Sequence, residues 1–387
     1  MLRTLALAVA LLLPAIAQAS CGGNFGSFVD GLRTEAMAQG RDPVVTDRFF
    51  RGVRQDNRTL RADRNQGVFR LEFVEFARRV ISGARLRKGA DLARSRDSIF
   101  DTVEERYGVP RGVLLAFWAL ETDFGAVQGD FNTRNSLVTL AYDCRRPDLF
   151  RPQVLAAVEL YEQGGFDLDT TGAWAGEIGM VQMLPVDILE RGVDADGDGR
   201  VTLKTSEADA LHSGARFLRD IGWRAGEPWL VEVEVPATLN WAQSGLDTKR
   251  PVSDWLADGV TLRGGAAAAD LPASLILPQG RGGPAFLAFH NYEILFDWNQ
   301  SFVYVTTAAY FATRLSGAPV FDAGPPPATL TEAQMKTLQQ KLADRGHDVG
   351  AVDGILGRNT RRAVQAEQVR LGLPADAWPT RALLDAL

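Results

Sequence analysis

From Val113 to Leu120 the chain is apolar without a break, and the next residue is Glu121. A helix made of these residues has no polar face and must be buried on all sides, so the surrounding fold has to be built around it. Its limits are also written in the sequence. A helical pattern from Asp97 to Tyr107 stops at Gly108, and Pro110 suits the first turn of the helix that follows. Glu121 therefore stands at the far end of a buried helix. Desolvation and the partial negative charge of a helix C-terminus both disfavour its ionised form, which is how a Glu becomes a general acid. The alternative is a Glu that caps the surface end of a core helix.

Residues 1–19 read as a signal peptide. Arg3 supplies a positive charge, Leu5 to Ile16 an apolar core, and Ala17-Gln18-Ala19 a small-x-small cleavage site that leaves Ser20 at the new terminus. Cys21 follows closely enough to raise a lipoprotein signal, but such a signal wants Leu where Gln18 stands, so no lipid anchor is expected. No later stretch is long and apolar enough to cross a membrane. The expected location is the periplasm, with no membrane attachment. The two cysteines, Cys21 and Cys144, read as one disulfide in an exported chain, the alternative being a pair of unrelated thiols. The histidines His212, His290 and His347 have no ligand spacing, which argues against zinc. A formal net charge of -6 without a Lys/Arg-rich run argues against nucleic acid.

A length of 387 residues calls for two or three domains. From Asn24 to Arg94 the pattern is mostly helical, and further helices are expected at Leu137–Tyr142 and around Val154–Tyr161. The pattern changes between about 229 and 285. There Val231, Val233 and Val235 alternate with Glu, and Val260–Leu262 and Leu275–Leu277 are short strand-like runs. Helix resumes at Phe286 and runs through Tyr292, Trp298, Asn299, Ser301 and Tyr304 to Leu315. Residues 323–327, with three prolines, form a stiff linker. Residues 328–387 then make a small helical module with Leu338, Leu342, Val349, Val352, Ile355, Leu356 and Val364 as its core. The fold class is mainly α, with a large helical region over 20–322, a small β-rich insertion and a three-helix module.

Two further stretches carry chemistry. In Gly172–Pro185, three glycines among apolar residues mean close backbone approach, and Gln182 places an amide between apolar neighbours. This is either a tight turn packed into the core or a sugar-reading turn. Asp194, Asp196 and Asp198 stand at positions 1, 3 and 5 of a loop with Gly199 at 6, as in a calcium-binding EF-hand. Thr205 stands at the twelfth position, so closure falls to Glu207, Asp209 or water; the alternative is an acidic surface turn.

Phe117–Gly125, Ala175–Pro185, the Asp194 loop and Asp297–Ser301 occur in order, and together they resemble the lytic murein transglycosylase B family over most of Cys21 to Leu315. Val352–Thr360, followed by Ala363-Val364, resembles the small peptidoglycan-binding module that accompanies such enzymes. The resemblance implies a lysozyme-like helical fold in which Glu121 is the sole catalytic carboxylate, first acid and then base. It implies cleavage of the β-1,4 bond between N-acetylmuramic acid and N-acetylglucosamine with a 1,6-anhydro product. It also implies substrate contacts from Gln182, Arg145, Trp298 and Asn299. Asp194, Asp196, Asp198 and Asp209 would hold a structural calcium ion, no cofactor would be needed for the chemistry, and the partner would be peptidoglycan glycan strands, bound by a monomer.

Two positions near the site depart from the family: Ala173 replaces Ser and Trp298 replaces Tyr. In the module, Glu367 stands where an aromatic is common. Asp123 is not expected to be a partner acid, since two residues along a helix turn it about 200° away. The rival readings are a hydrolytic muramidase, for which no second carboxylate is evident in the sequence, and a non-catalytic wall-binding scaffold.

Overall fold

The computed structural model describes residues 21–65, 71–263 and 270–387. The expected signal peptide, 1–19, lies outside the described residues. The helix Arg111–Thr122 occupies the centre of the main core, and Val113 to Ala119 are each at most 2% exposed. Burying a side chain of this size contributes roughly 1.5–3 kcal/mol, so the run stabilises the domain strongly. The preceding helix, Asp97–Tyr107, ends on Gly108 in the left-handed conformation, as its sequence predicts.

The principal partner of this central helix is the helix Phe302–Leu315. They are tightly packed at Gly112, where a Cβ would lie 2.4 Å from Ser316 Oγ, just past the end of the second helix, and 2.9 Å from the Ala312 carbonyl oxygen. Only hydrogen fits that space. Around this pair pack the helices Phe25–Ala38, Phe73–Val80, Gly83–Ser95, Thr133–Tyr142, Pro147–Glu162 and Glu207–Asp220. A Cys21–Cys144 disulfide ties the start of the described chain to the end of Thr133–Tyr142.

The β-rich insertion is a five-stranded antiparallel sheet in the order Arg250–Pro251, Pro272–Ile276, Ala285–Ala288, Leu230–Glu234, Thr261–Leu262. Alternation sends Leu230, Ile276, Phe286 and Ala288 into the main core, and Val233, Leu275 and Leu287 into a separate cluster around Trp255. The sheet is therefore buried on both faces. The strand Ala285–Ala288 corrects the expectation that helix resumes at Phe286. All four of its residues are buried, and a short apolar run buried throughout has no periodicity to tell a strand from a helix.

The module has three helices, Glu332–Asp344, Arg358–Arg370 and Arg381–Ala386, closed around Leu338, Leu342, Val364 and Leu383. Val352, expected in that core, is 40% exposed instead, because it lies in the turn before the second helix. The module is seated on the insertion. Arg361 donates through Nη2 to the Pro278 carbonyl oxygen at 2.7 Å and lies over the Phe302 ring at 4.3 Å, while Gln365 donates to the Ser244 carbonyl oxygen at 2.8 Å. The proline-rich segment is pressed against the same surface: a Cβ on Gly324 would lie 2.2 Å from the Gly282 carbonyl oxygen.

Candidate active site

The central helix ends in an unusual way just past Glu121. Asp123, Phe124 and Gly125 follow one another with φ of 52°, 60° and 82°. Two non-glycine residues in that region cost on the order of 1 kcal/mol each, so the surroundings must hold them. They do. Asp123 and Phe124 donate backbone N–H groups to Ala119 and Trp118 at 3.1 and 3.0 Å. Arg85 donates Nε to the Asp123 carboxylate at 2.8 Å, and the Phe124 ring meets the edge of Trp118. Asp123 is thereby turned to Arg85 rather than serving as a second acid.

Thr122 fixes the next layer. Its hydroxyl donates to the Met180 carbonyl oxygen at 2.6 Å and accepts from the Gly125 N–H at 2.9 Å. The glycine-rich turn of 172–183 is thus pinned to the end of the Glu121 helix. Within the turn, Ile178 and Met183 exchange backbone hydrogen bonds of 2.8 and 3.1 Å. The glycines are required by contact as well as conformation: at Gly176, φ is 91° and a Cβ would lie 2.2 Å from Leu137 Cδ2.

Glu121 Oε1 accepts from the Tyr304 hydroxyl and from Trp298 Nε1, the latter at 3.0 Å. Trp298 is held by stacking on Phe117, with ring centroids 4.3 Å apart, and by an edge contact with Phe217. Glu121 retains partial exposure, yet protein packs closely enough around its carboxyl that burial pushes it above the usual carboxylate range, against the two hydrogen bonds. A protonated Glu with an opening to solvent can deliver a proton.

The sequence-predicted residues separate into groups. Trp298 reaches Glu121, and its indole N–H supplies a donor at the position where the resemblance leads one to miss a phenol. Gln182, at φ 52°, folds back to donate Nε2 to the Gly179 carbonyl oxygen at 2.7 Å. Asn299 ends the short helix Leu295–Trp298 and accepts the Ser301 N–H at 2.9 Å, which makes it a helix junction. Arg145 and Arg146 both donate to Asp63, itself 2% exposed. Of the two, it is Arg146 that lies over the Trp174 ring, at 6.0 Å.

Sequence reasoning missed Tyr304 and Glu177. Tyr304 looks like one more core aromatic in an apolar helix, and no local signal marks it as a partner of Glu121. Glu177 was visible as the one acid in a glycine-rich apolar turn. Its carboxyl is close enough to feel the charge of Glu121 and is pushed up to about 7, chiefly by burial and further by that charge, with backbone amides of the turn and Arg146 opposing. The expectation that no second carboxylate stands near the acid is corrected: the turn brings one there.

Asp194, Asp196 and Asp209 each place a carboxylate oxygen within 4.8 Å of the others, and Asp198 lies outside this cluster. Asp209, fully buried, accepts N–H groups from Ala195 at 2.9 Å and Thr202 at 2.8 Å. Glu207 turns away to pair with Arg96, so Asp209 is the residue that faces the loop.

Residues 24–313 match the family described as the transglycosylase SLT domain, and residues 331–387 match a peptidoglycan binding domain. The chain is 24% identical over 231 residues to membrane-bound lytic murein transglycosylase B of Escherichia coli (strain K12), covering 59% of this chain and 63% of that protein, which is less than two thirds of the relative's length. The structure of SltB3 from Pseudomonas aeruginosa, solved with NAG-anhNAM-pentapeptide, superposes with a TM-score of 0.86 at 37% identity over 94% of this chain and 99% of that one. Slt35 of Escherichia coli, solved with calcium, shares the fold with a TM-score of 0.65 at 22% identity over 79% of this chain and 98% of its own. The mainly helical, lysozyme-like architecture expected from the sequence holds.

Proposed function

The chain belongs to the transglycosylase SLT family, and from that membership we propose that it cleaves the glycan strands of peptidoglycan by lytic transglycosylation. The observation that carries the reading is Glu121: a carboxyl at the end of a buried helix, raised by burial, with both of its resolved donors on one oxygen. Glu121 protonates the oxygen joining N-acetylmuramic acid to N-acetylglucosamine, and that bond breaks as positive charge develops on the muramyl anomeric carbon. The Glu121 carboxylate then accepts the proton of the muramyl 6-hydroxyl, whose oxygen closes on the anomeric carbon to form the 1,6-anhydro ring. The proton given in the first step is recovered in the second, and water is not consumed. Tyr304 and Trp298 steady the carboxylate between the two steps.

Peptidoglycan of the periplasm is the substrate in this reading, acted on by a monomer, and the module of 328–387 holds the polymer. A cleft of about 720 Å³ between Phe296 and Gln300 of the helical region and Asp353, Arg358 and Asn359 of the module supports a bound strand reaching both parts. In this reading Gln182, Arg145, Trp298 and Asn299 contact the substrate, and of these it is Trp298 that hydrogen-bonds Glu121. Asp194, Asp196 and Asp209 hold calcium: an all-oxygen set with one buried member fits a hard divalent cation. Its role is structural, joining the loop to the helix Glu207–Asp220.

One observation favours a second reading. Glu177 gives a hydrolytic muramidase a candidate base for activating water, and a group titrating near neutrality suits that task. The first test is release of soluble fragments from purified peptidoglycan by the wild type and by Glu121→Gln. The expected result is lysis by the wild type alone. Lysis by the folded variant would remove Glu121 from the chemistry in both readings.

A further inference from the structure

The turn that carries Glu177 leaves its backbone no freedom. The Ala173 N–H donates to the Glu177 carbonyl oxygen at 3.0 Å, and Gly172 lies so close beneath it that a Cβ would be 2.1 Å from that oxygen. On the far side, the hydrogen bond from Thr122 to Met180 fastens the turn to the helix of Glu121. The direction in which the Glu177 side chain leaves the turn is therefore fixed. The charged groups that act on it are Glu121, from the helix Arg111–Thr122, and Arg146, from the start of the helix Pro147–Glu162. Arg146 is engaged by Asp63. Glu177 Oε2 is buried and accepts or donates no hydrogen bond within the protein. Buried polar atoms seldom remain so in a working state.

We propose that Glu177 is a substrate-binding residue, whose unpartnered Oε2 makes a hydrogen bond to the sugar on which Glu121 acts. This rests on the reading of Glu121 as the site of glycan cleavage. The recognised chemistry is an oxygen acceptor of an N-acetylated sugar, either a hydroxyl or the acetamido carbonyl. The reason is that Glu177 is a neutral acid below about pH 7 and can donate there. Glu121 remains the proton donor of the reaction. A carboxyl at this position, unlike an amide, withdraws its donor as pH rises, and the second negative charge beside Glu121 reinforces the loss.

The test is binding of an N-acetylglucosamine tetrasaccharide to the full chain carrying Glu121→Gln, measured by calorimetry at about pH 5 and about pH 8.5, on either side of the Glu177 titration. The Glu121→Gln background prevents turnover and removes the titration of Glu121 itself, while burial, the largest cause of the raised Glu177 value, is retained. Binding is expected to weaken about tenfold between the two pH values, the size of one hydrogen bond to a sugar. Glu121→Gln with Glu177→Gln keeps a donor of the same shape, and its binding is expected not to change with pH. Glu121→Gln with Glu177→Ala is expected to bind weakly at both. A Glu177→Ala double variant that binds as tightly as Glu121→Gln alone would overturn the assignment, as would the same pH dependence in the Glu177→Gln double variant. If folded Glu121→Gln binds no saccharide at either pH, the reading of the cleft itself falls, and the assignment with it.

Discussion

Two groups of carboxyls lie in the same helical region and are built in opposite ways. At the end of the central helix, Glu121 and Glu177 sit among apolar walls; one Glu121 oxygen takes both of its side-chain donors, and Glu177 Oε2 takes none. Both groups are pushed upward, burial being the largest cause in each. In the loop after residue 193, Asp194 accepts N–H groups from Gly197, Asp198 and Gly199, and Asp209 accepts them from Ala195, Asp196 and Thr202. Three N–H donors converge on each of these loop carboxyls, whereas apolar packing surrounds the pair at the helix end. Residue type alone does not separate these two environments; the donors around each carboxyl do.

The largest break in this comparison is expected from Glu121→Gln, which keeps shape and hydrogen bonding but removes the transferable proton. Lysis should fall by about 10²- to 10⁴-fold with the melting curve retained. Asp209→Ala should do the reverse, costing about 1–2 kcal/mol of stability by removing the acceptor of three part-buried N–H groups while lysis at low temperature persists; thermal unfolding with a parallel lysis assay reads both. Calcium at about a hundred times its dissociation constant should raise wild-type stability by about 2.7 kcal/mol and leave Asp209→Ala unmoved, as followed by denaturant unfolding.

The buried acids should show themselves in the pH dependence of stability. A carboxyl raised on folding is protonated in the folded state over a range where the unfolded chain has lost its proton. Its stabilising share is full below the unfolded value and is lost as pH climbs through the folded one, here about 7 for Glu177. Glu177→Gln should therefore gain on the order of 2 kcal/mol over wild type between about pH 5 and pH 8, measured by unfolding at the two values. The smallest effect is expected from Tyr304→Phe. The hydroxyl lowers the Glu121 value, so its removal should move the alkaline limb of lysis upward, with a loss of rate of about a few-fold. An unmoved limb would mean that the bond does not act on the charge of Glu121.

Much of this was legible in the sequence because it depends on local chemistry. An unbroken apolar run between Gly108 with Pro110 and Glu121 fixes a buried helix with an acid at its end. Aspartates at alternate positions before Gly199 mark an acidic loop in which Asp194 and Asp196 converge with Asp209, while Asp198 stays outside the cluster. Alternating Val231, Val233 and Val235 mark a strand that the structure extends over Leu230–Glu234. What was not legible depends on distant contacts. Ala285–Ala288 is a strand because Leu230–Glu234 pairs with it, not because of its own pattern. Tyr304 becomes part of the site through the packing of its helix along that of Glu121, and Glu177 through the Thr122 hydrogen bond to Met180. Val352 failed as a core residue because a turn, unlike a helix, imposes no periodicity on what it buries.

The most direct test of the central claim is mass spectrometry of the fragments released from purified peptidoglycan by the protein. An acid that recovers its proton from the muramyl 6-hydroxyl predicts muropeptides lighter by one water than reducing-end products. Fragments with hydrated reducing ends would contradict that account and give Glu177 the part of a base that activates water.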